Sequence, residues 1–149
     1  MGYKMKKFIP ALAVAIMMAS PAWADGVTIT VNVTTPEAAE GAISLALYNS
    51  EETFMEDAFA EQTAETAVEG ATTLIFENVP TGIYGVSALH DQDGDGKLDT
   101  NFLGIPKEPI GFSNDAKGKF GPPDFDAVKF DVGADDVSLE INLHKITAP

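Results

Sequence analysis

Apolar and polar residues alternate with period two along much of the chain. Val27, Ile29, Val31 and Val33 alternate with Thr28, Thr30, Asn32 and Thr34. Period two sends successive side chains to opposite faces, and β-branched residues suit a pleated, half-buried surface, so this segment predicts a strand with one buried face. Ile43, Leu45 and Leu47 repeat the pattern against Ala42, Ser44, Ala46 and Tyr48. Between them, Thr35–Gly41 contains Pro36 and Gly41 and predicts a turn. Thr73–Val79 predicts a third strand. Ile83–His90 predicts a fourth, with Tyr84, Val86 and Ala88 on one face, and Pro80-Thr81-Gly82 turns the chain between the two. Near the end, Phe125–Val132 and Val137–Lys145 flank Gly133–Asp136 and predict a hairpin with a four-residue loop. In its second strand Val137, Leu139, Ile141 and Leu143 form the inward set, and Ser138, Glu140, Asn142 and His144 the outward one.

Two stretches break the period. Glu51–Ala60 is acidic, with Phe54, Met55, Ala58 and Phe59 spaced near three and four, which predicts a short helix or helical turn. Asp91–Asp124 is a 34-residue stretch rich in Gly, Pro, Asn and Asp, with no strand pattern. Loops of this length are functional or disordered when they occur in compact domains. Phe102, Leu103, Ile105, Ile110, Phe112 and Phe120 favour an ordered loop that packs back on the body. Short strands, little helix and no βαβ alternation predict an all-β fold, an antiparallel β-sandwich of about seven strands with one long ordered loop.

The first residues follow a different logic. Lys4, Lys6 and Lys7 precede an apolar run from Phe8 to Met18, and Ala22 and Ala24 close the segment. A basic start, a short apolar core and an A-x-A ending predict a signal peptide over residues 1–24 and a single domain over 25–149. The apolar run is too short to serve as a membrane span, which needs about 20 residues. The expected location is the periplasm of a Gram-negative bacterium, or the medium. No integral membrane segment is expected once the leader is cut.

Charge sharpens this picture. The chain has 9 Lys+Arg, all of them Lys, against 23 Asp+Glu, a net charge of −14. The leader holds three of the lysines and no acid, so its removal takes the charge to −17. Nucleic acid is excluded as an expected partner, because neutralising a polyphosphate needs clustered cations. With no cysteine there is no disulfide, thiolate metal site or cysteine nucleophile.

The acidity has one focus. In Asp91-Gln-Asp93-Gly-Asp95-Gly96-Lys97-Leu98-Asp99, aspartates fall at positions 1, 3, 5 and 9, with Gly96 at position 6. Calcium takes six to eight hard oxygens, and alternate side chains in a tight turn converge on one point. The expected ligands for Ca²⁺ are Asp91, Asp93, Asp95, Asp99 and the backbone carbonyl of Lys97. Position 12 is Phe102 where an EF-hand has a bidentate Glu, and the segments around the loop are not helical. Asp99 completes the shell, or a later residue such as Glu108 folds back. The competing reading is an acidic, solvated turn.

Phe76-Glu-Asn-Val-Pro80-Thr-Gly82-Ile-Tyr84, His90-Asp91, the aspartate loop, Leu103-Gly-Ile-Pro106-Lys-Glu108, Gly111-Phe112-Ser113-Asn114 and Gly121-Pro-Pro-Asp-Phe125 together resemble the domain of unknown function 2141 family. The resemblance spans essentially the whole of residues 25–149. It implies an exported bacterial protein with a prealbumin-like or carboxypeptidase-regulatory-like β-sandwich, and no known activity.

Three functions are compatible with these residues. The first is a non-catalytic, calcium-stabilised module that binds a protein, glycan or envelope component through the long loop. The second is a periplasmic hydrolase or isomerase on a prealbumin-like fold, with His90 and His144 as acid–base groups beside Asp91, Lys107 or Glu108. The third is an acidic, cation-binding envelope protein. The sequence leans away from an enzyme. His90 ends a strand next to the loop, where a packing or hydrogen-bonding role suffices, and His144 falls on the polar face of the last strand.

Overall fold

The computed structural model describes residues 26–36, 40–65, 71–119 and 121–146; the expected leader lies outside them. The elements are β1 (Val27–Thr34), β2 (Ala42–Tyr48), β3 (Ala60–Glu65), β4 (Thr72–Val79), β5 (Gly82–Asp91), β6 (Ile110–Phe112), a 3-10 turn (Ser113–Asp115), α1 (Phe125–Val128), β7 (Phe130–Val132) and β8 (Val137–Asn142). They form two sheets. One has the order β4-β1-β8, and the other runs β3-β2-β5-β6 with β7 also paired to β5. The expected all-β sandwich is the fold.

The period-two residues build its interior. Ile29, Val31, Val33, Leu74, Phe76 and Ile141 from the first sheet meet Ile43, Leu45, Leu47, Tyr84 and Val86 from the second. Each fully buried side chain of this size contributes about 1.5–3 kcal/mol through loss of water contact. One irregularity keeps the pattern in phase. β1 pairs Val27 with Val79 and Ile29 with Phe76, so β4 has one extra residue there. Asn78 takes a left-handed φ of 57°. The bulge lets Phe76 and Val79 both point inward, where a regular strand would send them to opposite faces.

The structure differs from the expectation in four places. Phe125–Val132 is not one strand. Phe125 and Val128 are both buried on one face of a helical turn, which the Lys129 N–H closes by donating to the Phe125 carbonyl at 3.0 Å. Only Phe130–Val132 is extended. Nor do the last two strands form a hairpin. β7 runs antiparallel to β5, while β8 runs parallel to β1, so Gly133–Asp136 crosses between sheets. Asp136 Oδ1 accepts the Thr28 N–H at 2.8 Å and fixes the crossing where β1 begins. Asp91–Asp124 is not all loop, because Ile110–Phe112 pairs with β5 as β6, while Glu51–Asp57 makes the turns that the sequence offers beside a short helix, with Met55 at a φ of 66°. Finally, β3 is an additional edge strand. Its outward Glu61 and Thr63 leave no apolar alternation, and its charge discourages pairing with other chains.

A second apolar cluster lies on the outer face of the larger sheet. Tyr48, Phe112, Phe125 and Val128 are buried there, with Phe54 packed against them. The Phe54 ring meets Tyr48 edge-on with centroids 5.2 Å apart and stands 5.6 Å from Phe125. The segment Gly111–Asn114 ties this cluster to the body. A side chain at Gly111 would press on Ile141 and Leu143. The Ser113 hydroxyl is buried, donates to the Val128 carbonyl at 2.6 Å and accepts the Val86 N–H at 3.0 Å. Asn114 reaches the Ala127 and Lys129 carbonyls.

Replacing Ser113 by Ala should therefore leave the Val86 N–H buried and unpaired. Such a group costs about 1–3 kcal/mol. Urea unfolding of the variant should show a loss of that size with an unchanged m-value.

Candidate metal centre

Strand β5 delivers the chain to the candidate site. Its inward face runs Tyr84, Val86, Ala88 and His90, and its last residue, Asp91, is paired with Ala42 of β2. Gly41, just before β2, has a φ of 86°, and any side chain there would collide with the Asp91 carbonyl. The first ligand candidate is thus held by a sheet, and it is only 4% exposed.

From Asp91 the loop curls around its own carboxylates. Asp91 Oδ1 accepts the Gly94 N–H at 3.0 Å and Oδ2 the Gly96 N–H at 2.8 Å. Asp93 accepts from Asp95 N–H at 3.1 Å, and Asp95 from Lys97 N–H at 2.8 Å. Gly96 has a φ of 76°, the left-handed turn expected at the sixth position. Beyond Asp99 the chain makes a small hairpin. Thr100 bridges Pro106, Asn101 N–H donates to the Ile105 carbonyl at 2.9 Å, and the Asn101 side chain accepts from Leu103 and Ile105.

This hairpin returns Glu108 to the start of the loop. Glu108 is 4% exposed; its Oε1 accepts the Gln92 N–H at 2.8 Å and its Oε2 the Asp99 N–H at 3.4 Å. Carboxylate oxygens of Asp91, Asp93 and Asp95 lie within 4.8 Å of one another, as do those of Asp93, Asp99 and Glu108. Asp93 belongs to both groups, so two overlapping carboxylate triads share its side chain. Asp99 and Glu108, the two residues the sequence offers to complete a shell, both lie with Asp93 in the second triad. Phe102, at the twelfth position, is 95% exposed. Lys97 is exposed, with its N–H on Asp95.

Crowding of like charges shows in Asp93. The Asp95 N–H bonded to its carboxylate favours ionisation. Hydrogen bonds with the Asp99 and Asp91 side chains, desolvation and the charge of Asp95 oppose it, and together they push Asp93 up to about 6. All the side-chain donors at the locus are carboxylate oxygens, with neither imidazole nor thiolate among them. That set suits a hard divalent cation.

The two histidines stand apart from this chemistry. His90 is 0% exposed, and both ring nitrogens are engaged. Nε2 donates to the Glu40 carbonyl at 2.6 Å, and Nδ1 pairs with the Thr35 hydroxyl at 2.9 Å. It bonds no carboxylate of the loop; it holds the segment entering β2 against the end of β5. His144 exchanges two backbone hydrogen bonds with Ile110, which anchors β6 beside the last strand. Thr35 and Glu40 carry no motif that marks them, and the Gly111–Asn114 motif assigns Ser113 no role. Their roles depend on pairing across the sheets.

Fold and site define a small two-sheet β-sandwich with an acidic loop folded against the end of its central strand. The chain belongs to a family described as an uncharacterized protein conserved in bacteria (DUF2141), whose family model matches residues 31–140. Comparison with curated proteins and with solved structures finds no match. Among the described residues no helix is long and apolar enough to cross a membrane.

The Asp93 geometry sets a pH dependence in chelator. Between the ordinary carboxyl value of 3.8 and about 6, the folded chain keeps a proton that the unfolded chain has released. Stability from this group therefore rises as pH falls through about 6 and is lost as pH rises through it. Asp93→Asn imitates the protonated form. The variant should be more stable than the wild type at pH 7, and denaturant titrations should show the gap closing toward about pH 4.

Proposed function

We propose that this chain is an exported, non-catalytic module whose acidic loop takes up one calcium ion and presents a contact surface to a protein, glycan or other envelope component. The return of Glu108 to Asp93 and Asp99, with Asp93 also grouped with Asp91 and Asp95, carries the reading. Two of these carboxylates are buried, and their mutual repulsion is relieved by a divalent cation more completely than by solvent. Calcium fits better than magnesium, because calcium accepts a cage of many protein oxygens whereas magnesium retains several waters. When bound, the ion would supply charge neutralisation and cross-link the two ends of the loop. Asp91, Asp93, Asp95, Asp99 and Glu108 would hold it, with the Lys97 carbonyl as a backbone donor.

Export rests on residues 1–24, and the periplasm of a Gram-negative bacterium is the favoured compartment. The engagement of both His90 nitrogens supports a module without acid–base catalysis over a hydrolase or isomerase. The contact surface is the hairpin tip, where Phe102 and Leu103 are 95% and 65% exposed above an otherwise acidic loop. Exposed apolar residues grouped on a scaffolded loop are typical of a binding edge.

Calcium should raise the melting midpoint of the domain relative to chelator. At a hundredfold excess over Kd the gain is about 2.7 kcal/mol. The double variant Asp93→Ala, Asp95→Ala should lose the gain, and Glu108→Gln should weaken calcium by about tenfold or more through loss of a charged oxygen donor. An unchanged melt at millimolar calcium would refute the metal reading. Phe102→Ala should keep the midpoint, with a stability change within about 0.5 kcal/mol, yet reduce capture of the partner from envelope extract. No specific capture with or without calcium would favour an acidic cation-binding envelope protein over a binding module.

A further inference from the structure

The outer face of the larger sheet holds a cleft of about 570 Å³. This volume falls in the range of small-molecule sites, about 300–1,000 Å³. Its floor is made by Ser87 and Leu89 of β5 beside Phe112 and Ile110 of β6, which stand opposite one another in register. Leu98, Leu103 and Ile105 from the hairpin of the acidic loop line one part of it. The chain carries 23 acidic residues, yet among the described residues none that lines the cleft is acidic. Lys119 is the one charged residue among the described residues that line the cleft.

That distribution selects a ligand chemistry. The lining is aliphatic and aromatic, and Leu98 and Leu103 leave 39% and 65% of their surface to water at its edge. An alkyl chain would cover this surface. A single anionic head would pair with the Lys119 ammonium, whereas a cationic head would be repelled there and a neutral one would leave the charge unused. We propose that the cleft is a binding site for a single-chain alkyl carboxylate, with the head on Lys119 and the chain along Leu89, Ile110 and Phe112. The site is distinct from the carboxylate locus. It shares with the calcium reading only the hairpin that forms part of its lining.

The test is calorimetric titration of the domain with dodecanoate, below the concentration at which calcium soaps form. It is run once in chelator and once with a small excess of calcium. Saturable one-to-one binding is expected. Octanoate should bind more weakly by about fourfold per methylene removed. Dodecyltrimethylammonium should bind at least about tenfold more weakly than dodecanoate, and Lys119→Glu should reverse that preference, since the sign of one charge in the cleft changes. Leu103→Asp, on an exposed and foldable position, should also weaken dodecanoate. Absence of binding in both buffers would overturn the proposal, as would equal affinity for both head groups or no dependence on chain length. Failure of the calcium melt with these preferences intact would leave the cleft assigned and remove only the metal.

Discussion

The hydrogen bond from Gln92 N–H to the Glu108 carboxylate, 2.8 Å long, is the contact on which the shape of the acidic loop depends. It closes the chain on itself across 16 residues and keeps a buried acid beside Asp93 and Asp99. Everything between is shaped by that closure. The hairpin from Asp99 to Lys107 must fit inside it, held by Asn101 and by the Lys107 N–H on the Asp99 carbonyl at 2.8 Å. The chain leaving Glu108 must lie at the edge of β5, so Pro109 accepts the His90 N–H and Ile110–Phe112 joins the sheet. A carboxylate is an unusual clasp for such a loop. Its negative charge adds to the crowding, a cost that a proton or a bound cation would lower.

The body of the sandwich makes this arrangement possible. β5 is the central strand, paired with β2 on one side and with β6 and β7 on the other. It is buried along most of its length and ends at the carboxylate locus. His90 adds rigidity at that point, since its ring joins the Thr35 hydroxyl to the Glu40 carbonyl across the entrance to β2. The acidic loop is thus mounted on a buried strand paired on both sides, the kind of element from which a loop can hold oxygens in fixed positions.

Much of this was legible in the sequence, for physical reasons that also mark the limits. Period two records which face is buried, so β1, β2, β4, β5 and β8 are readable from Val27 to Leu143. It does not record the partner. The same alternation in Val137–Asn142 serves an antiparallel hairpin or a parallel strand beside β1, and the observed crossing at Gly133–Asp136 depends on which sheet edge is free. β3 is hidden because an edge strand needs no apolar face. The aspartate spacing reveals the start of the carboxylate locus, since those ligands are local. Glu108 is held by a hairpin that sequence spacing alone does not specify, so it stands only as one of two ways to complete the shell. The cleft is invisible in sequence, because Leu89 and Ile110 meet only through strand register.

The decisive experiment is a crystal structure of the domain grown with calcium. One ion should sit at the carboxylate locus, with oxygens of Asp91, Asp93, Asp95, Asp99 and Glu108 at about 2.3–2.6 Å. Glu108 should still accept the Gln92 N–H. An ion-free loop at saturating calcium, or an ion bound with Glu108 turned away to solvent, would contradict a calcium site closed by Glu108.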